Sequence, residues 1–479
     1  MDAVGTPPPD ASNGTFLASD ARTAPLTRAD LLVRGATLVA TCDDAGTEVA
    51  GGWVAVRDGV VVEVGTGPEP DAAEVLDATG CLVTPGLVNT HHHLYQNLTR
   101  GVITDGTLFE WLTGLYPIWA GIDEEAAYLS AWAGLAELAL SGCTTSTDHL
   151  YVAPRGAGDL WAAEIRAAGE VGMRFHPTRG SMTRSVKDGG LPPDSVVQDD
   201  DEVLADSERL VAAFHDPSPG AMVRVALAPC SPFSVSQELM RATAELAERL
   251  DVRLHTHLAE DADEDTYCLE TFGRRPVDQF EEVGWLTDRA WVAHCIFPSD
   301  AEIARLGAAG VGVAHCPSSN SVLGNTRICP VSDLRGAGVP VGLGCDGSAA
   351  NDIASLWVES RHAMLLARVR GGPKAASARQ VLTMATRDGA RCLGRAGEIG
   401  QLTPGAAADL AVWPQTGPAF AGALADPVAA WLRCGPTVAR HTVVAGRAVV
   451  RDGVVTAPGL DDVLVRHRAA ATRLQGLAR

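Results

Sequence analysis

The chain has 479 residues, room for one large enzyme domain and a smaller one. Hydrophobic residues at 46% and charged residues at 20% exclude disorder over most of its length. With 38 basic and 59 acidic residues, the net charge of −21 argues against a nucleic-acid or anionic-membrane partner. No apolar run approaches the roughly 18 residues of a membrane span.

Residues 1–28 are rich in Pro, Ser, Thr, Asp and Gly and read as a disordered leader, without the basic-then-apolar pattern of a signal peptide. Short apolar strands follow at Leu31–Gly35 and Gly52–Val62, set between Gly and Asp turn signals. Similar strands return at Ala408–Trp413 and His441–Val455. A small β-domain split between residues 29–84 and 398–460 is expected, because chain ends commonly lie close together. Residues 461–479 read as a C-terminal helix.

Between the two halves, residues 85–397 alternate short strands with amphipathic segments such as Asp123–Leu140, Gln237–Leu250 and Asp300–Leu306. The strands end near His93, Asp148, Thr178, Cys230, Glu260, Phe297, Ser318 and Asp346. Eight such units fit an α/β fold, a TIM-like (β/α)8 barrel carrying a small β-sandwich domain. A doubly wound sheet shares the rhythm. Nucleotide-cofactor folds lose weight because no Gly-x-Gly-x-x-Gly or Gly-Lys-Ser/Thr loop follows a strand.

Eleven cysteines without a Cys-x-x-Cys pair fit reduced thiols and a cytoplasmic protein. Catalytic groups of such barrels sit at the C-terminal ends of the strands. The first strand ends in His91-His92-His93, where residues i and i+2 share a side, so His91 and His93 can grip one ion. Strand five carries His255, His257 and, just beyond, Glu260; strands six, seven and eight stop at His294, His315 and Asp346. Imidazoles and a carboxylate suit zinc or ferrous iron better than magnesium or calcium. His255 is expected to be a supporting or core group. His149 and the remaining histidines carry no strong case for a metal role.

The run Pro-Gly-Leu-Val-Asn-Thr-His91-x-His93, with His257-Leu-Ala-Glu260, His294, His315-Cys-Pro-Ser-Ser-Asn320 and Asp346, resembles the amidohydrolase superfamily in its branch of nucleobase and triazine deaminases. The resemblance spans about residues 30–455, Gly405-Ala-Ala-Ala-Asp409 included. It implies metal ligands His91, His93, His257 and Asp346. Two-metal members of the superfamily bridge their ions with a carboxylated lysine on strand four. Only Lys187 and Lys374 occur here, and neither ends a strand, so one divalent ion is expected, zinc ahead of iron. The resemblance also implies Glu260 as proton shuttle, Asp346 as second proton acceptor, and His294 as a polarising group in contact with substrate.

Gln96 stands where guanine deaminases place a base-contacting glutamine, and Cys230 stands where adenosine-type deaminases place a ribose-reaching histidine. Cys230-Ser-Pro-Phe-Ser, His-His-His-Leu-Tyr-Gln96 and the loop Arg179–Asp194 are similar to the 8-oxoguanine deaminases, which implies removal of a purine 2-amino group to give urate. Arg179, Arg184 and Lys187 are candidates to read the 8-oxo group, though each reads first as a surface charge; their loop is also a candidate lid. Alternatives are an s-triazine, hydroxyatrazine-type or isocytosine amidohydrolase, a guanine or adenosine-type deaminase, and a silent scaffold. The expected partners are a small-molecule substrate and further copies of the chain.

Overall fold

A computed structural model describes residues 28–478. Apart from Arg28, the expected leader lies outside the described residues. Eight parallel strands close into a barrel in sequence order. They are Leu87–Asn89, Cys143–Leu150, Arg174–Ser181, Ala226–Pro229, Arg253–Leu258, Ala290–His294, Gly312–His315 and Val341–Leu343. Strand eight returns to strand one through Leu343 opposite Asn89. The three helices expected from periodicity form as Glu124–Leu140, Gln237–Leu250 and Asp300–Ala309. Asp123, Ser236 and Ser299 each cap one of them by accepting a first-turn backbone N–H.

Several strands stop earlier than expected, and the backbone shows why. Ala259, His294, Cys295 and Asp346 have φ of +52°, +72°, +48° and +60°, in the left-handed region where a strand cannot continue. Strand six therefore ends at His294 rather than Phe297. Strand seven ends at His315 rather than Ser318, where a short helix opens at Pro317. These turns swing the strand-end side chains into the barrel mouth, and such strain gathers at functional sites.

Strands from both ends of the chain share one seven-stranded sheet, in which Leu410–Pro414 pairs antiparallel with Cys81–Pro85. A four-stranded sheet of Ala29–Arg34, Trp53–Arg57, Val60–Gly65 and Ala72–Asp77 packs against it through Leu31, Val33, Val54, Val83, Leu410 and Val443. The sandwich meets the barrel through a buried ion pair. Arg174 donates from Nε and Nη2 to the two carboxylate oxygens of Asp409, at 2.8 and 3.0 Å. That geometry gives Asp409, the last residue of Gly405-Ala-Ala-Ala-Asp409, its structural role. The chain closes with the helix Leu460–Gln475. Among the described residues, no helix is long and apolar enough to cross a membrane.

Candidate active site

His91, His93, His257, Glu260, His294 and Asp346 converge at the C-terminal mouth of the barrel, every one of them buried. Their ring orientations are set from behind. His93 donates its Nδ1–H to the carbonyl of His149 at 2.7 Å, and His257 donates its Nδ1–H to the carbonyl of Cys230 at 2.6 Å. His91 reaches no carbonyl; its Nδ1 lies 2.8 Å from Nε2 of His255, whose own Nδ1–H bonds the carbonyl of Trp291 at 2.9 Å. With the His255 proton held on Nδ1, its Nε2 accepts from His91. All three site imidazoles are thereby held as Nδ1–H tautomers with Nε2 lone pairs turned inward.

The inward atoms are close. Asp346 Oδ1 lies 3.3 Å from Nε2 of His91 and 3.3 Å from Nε2 of His93, and the Nε2 atoms of His93 and His257 are 3.2 Å apart. Burial holds the imidazoles of His91, His93 and His257 below their ordinary pKa, as neutral ligands require. Burial alone would raise the Asp346 carboxyl, yet His91, His294 and His93 hold it well below the usual range. Nε2 of His91 finds no hydrogen-bond partner. An orphaned buried acceptor beside two more lone pairs and a carboxylate is a costly arrangement that a cation relieves. The donor set fits a metal ion.

The other wall carries acid–base groups. His294 donates its Nδ1–H to Asn320 Oδ1 at 2.8 Å, which gives the end of the His315-to-Asn320 motif its function. Its Nε2 faces Glu260 Oε1 at 3.5 Å and Asp346 Oδ2 at 4.0 Å. Burial would make His294 less basic, but the two carboxylates outweigh it and raise its pKa. Burial also pushes the Glu260 carboxyl up to about 7. A carboxyl poised there can both take and give a proton near neutral pH.

A small cavity opens against these groups. Gln96 lines it from the short helix Leu94–Thr99; its Oε1 accepts from Ala349 N at 3.3 Å, while Nε2 has no partner. Cys230 lines it as well, and burial pushes its thiol up to about 12, leaving an S–H.

The sequence reading missed part of this site. Trp111, Leu112 and Tyr116 come from the helix Leu108–Trp119, Tyr151 follows strand two, and Phe233 completes the wall. The capping box at Thr107 and Glu110 signals that helix, but its aromatic residues read equally well as core. His149, set aside from the sequence, belongs to the cluster: it stacks on His257 at 4.8 Å and joins His91, His93 and His257 in a group able to hold a metal. His315 is buried but does not line the cavity.

The three cations named for the 8-oxo group do not line the cavity either. Arg179 is no surface charge. It is 1% exposed, paired with Asp206 at 2.8 Å and laid over the Trp161 ring. Arg184 bonds the Tyr267 hydroxyl, and Lys187 pairs with Asp194 on the surface. The cover over the cavity comes from the helix Leu108–Trp119 rather than from their loop.

Comparison with known proteins agrees with this geometry. The chain is 49% identical over 434 residues to an 8-oxoguanine deaminase from Pseudomonas aeruginosa, covering 90% of this chain and 96% of the relative. It is 37% identical over 458 residues to a hydroxydechloroatrazine ethylaminohydrolase from Pseudomonas sp. strain ADP, covering 91% and 94%. The zinc complex of an atrazine chlorohydrolase from Arthrobacter aurescens TC1 superposes with a TM-score of 0.88 at 33% identity, covering 92% of this chain and all of the other. Residues 82–449 match the Amidohydrolase family, and with the closed barrel and the His/Asp cluster at its mouth, the chain belongs to that family.

Proposed function

We propose that this protein is a metal-dependent aminohydrolase of a free aminopurine, converting 8-oxoguanine and water to urate and ammonia. The observation that carries the reading is the cavity that Glu260 and His294 line together with Gln96, whose Nε2 is buried without a partner. The identity to the P. aeruginosa 8-oxoguanine deaminase supports the choice of base. In this reading His91, His93, His257 and Asp346 hold one divalent ion, zinc ahead of iron. Such an ion supplies Lewis acidity that brings the pKa of water from 15.7 to roughly 7.

The chain's own residues do the rest. Glu260 takes a proton from the attacking water and delivers it to the ring nitrogen beside the attacked carbon. His294, its Nδ1–H fixed on Asn320 and its pKa raised by the two carboxylates, donates its Nε2–H to the oxygen carried by that carbon. Asp346 Oδ2 takes the second proton from the hydroxyl on that carbon and passes it to the exocyclic amino group, and the C–N bond breaks to release ammonia as the C=O forms. Gln96 Nε2 donates to an acceptor on the base edge, and the Cys230 S–H faces the same cavity. With no Arg or Lys among the described residues of the lining, the 8-oxo group is read by neutral donors, Tyr116 and Tyr151 being the hydroxyl-bearing side chains there that are not already donating to Ser234.

A panel of 8-oxoguanine, guanine, isocytosine, adenosine and a hydroxylated aminotriazine, assayed for ammonia release, tests the reading. The highest kcat/KM is expected for 8-oxoguanine. An aminotriazine as best substrate favours the second reading, which the 37% identical ethylaminohydrolase supports; adenosine as best substrate contradicts both. The reading extends to a cytoplasmic homo-oligomer. Free cysteines support the compartment, and light scattering tests the assembly.

Gly347 gives a further check on Gln96. A Cβ built on Gly347 would lie 1.8 Å from Gln96 Oε1, so Gly347→Ala must displace that amide. Losing one substrate hydrogen bond should raise KM on the order of tenfold. An unchanged KM for 8-oxoguanine would remove Gln96 from the substrate contacts.

A further inference from the structure

Strand five ends at Leu258, and the next two residues turn sharply into the site, with Ala259 at φ +52°. The turn leaves the buried amides of Ala259 and Glu260 without partners in the barrel ladder. Both find the same carboxyl. Ala259 N donates to Glu264 Oε1 at 3.0 Å and Glu260 N donates to Glu264 Oε2 at 2.9 Å. Glu264 lies in the first turn of the helix Ala262–Phe272 and is only 2% exposed, although the helix faces solvent at Asp263 and Glu270. An ordinary capping box would send this side chain back to the amide of Asp261; here it reaches one and two residues further. The far side of the turn is held too. The carbonyl of Ala259 accepts from Ile296 N at 2.8 Å and Phe297 N at 3.0 Å. The Asn325 side chain lies 3.2 Å from both the carbonyl of Glu260 and Asp261 Oδ2; the amide orientation that satisfies these two acceptors turns its NH2 to donate to both.

We propose that Glu264 is a positioning residue for the reaction, clamping the two amides that aim the Glu260 carboxyl into the cavity, with Asn325 holding the same turn from its carbonyl side. The inference rests on Glu260 as the proton shuttle of the proposed function. Burial pushes the Glu264 carboxyl up to about 8 against the pull of the two amides, and in either charge state an oxygen remains to accept. Neither Glu264 nor Asn325 lines the cavity, so neither contributes to substrate affinity directly. Both contribute through where Glu260 sits. A misplacement of about 1 Å at a reacting group can cost on the order of 10² in rate.

The test is steady-state kinetics of the zinc-loaded enzyme on whichever substrate of the panel the wild type deaminates fastest, so an error in the substrate assignment leaves it readable. Glu264→Gln keeps one acceptor oxygen and Glu264→Ala keeps none. The expected losses in kcat are on the order of 10-fold and 10²-fold, with KM and zinc content within twofold of wild type. A general structural role would instead lower zinc content or raise KM alongside the fall in kcat, and either result overturns the proposal. So does a kcat within twofold of wild type for both variants. If the Glu264 variants do not fold, Asn325→Ala on its partly exposed loop reads the same turn, with an expected several-fold loss in kcat at constant KM and an unchanged kcat as the contrary result. A wild type inert on the whole panel overturns the functional reading and this inference with it.

Discussion

Glu260→Gln should abolish most of the turnover while leaving the metal in place. The amide keeps the shape of the carboxyl and the turn that Glu264 holds, but it cannot pass a proton between water and a ring nitrogen. General acid–base catalysis typically contributes about 10² to 10⁴ in rate, and the loss should fall in or above that range. The separation of effects follows from the geometry: Glu260 faces His294 Nε2 at 3.5 Å, whereas Nε2 of His91 and of His93 lie 3.3 Å from Asp346 Oδ1, and Nε2 of His257 lies 3.2 Å from that of His93. The pH profile adds a second readout. Burial raises Glu260 from the ordinary 4.5 to about 7, and a cation held beside it draws it back down. Because the working base is the ionised form, kcat/KM should climb with pH between these two values and level off above. A Gln variant that keeps more than about a tenth of wild-type turnover would exclude the proton-shuttle role.

Removing the Asp346 carboxylate should cost both metal and rate. Its Oδ1 is shared between two imidazoles, its pKa is held well below the usual range, and it is the one carboxylate in the proposed ligand set. Its backbone sits at φ +60°, which Asn tolerates better than Ala. Asp346→Asn therefore removes the charge with little backbone strain, while Asp346→Ala removes charge and conformational fit together. Disturbing even the outer partners of a metal ligand costs roughly 10- to 100-fold in affinity, so losing a ligand should cost at least that. Dialysis against a chelator followed by metal analysis reads the first effect, and ammonia release reads the second. Full zinc retention in the Asn variant would remove Asp346 from the ligand set.

Much of the barrel and its mouth was legible in the sequence because the signals are local. Alternating strands and helices mark the eight units, and ionisable residues where apolar runs stop mark the strand ends. His91, His93, His257, Glu260, His294 and Asp346 were found this way and meet in space. What sequence spacing could not show is how side chains far apart in the chain orient one another. The relay from Trp291 through His255 to His91 joins two strands and the loop that follows a third, and nothing at position 255 distinguishes it from a core histidine. The place of His149 against the cluster and the aromatic cover stayed hidden for the same reason, since a buried histidine or a helix-face Trp reads first as packing. Arg179 erred the opposite way. A charged residue near a loop suggests the surface, but the end of strand three is buried and Asp206 with Trp161 gives its guanidinium a full set of partners. Strand ends were missed by a few residues where non-glycine residues adopt positive φ, a tertiary effect that propensity does not carry.

The central claim is one metal per chain, held by four donors without a bridging lysine. Among the described residues the two lysines are exposed, and strand four, Ala226–Pro229, contains neither. The most direct measurement is a titration of metal-depleted protein with zinc, following both bound metal and ammonia release from the best substrate. Activity should rise in proportion to bound zinc and reach its plateau at one equivalent per chain. Activity that continues to rise to two equivalents, or that appears in full without any divalent ion, would contradict it.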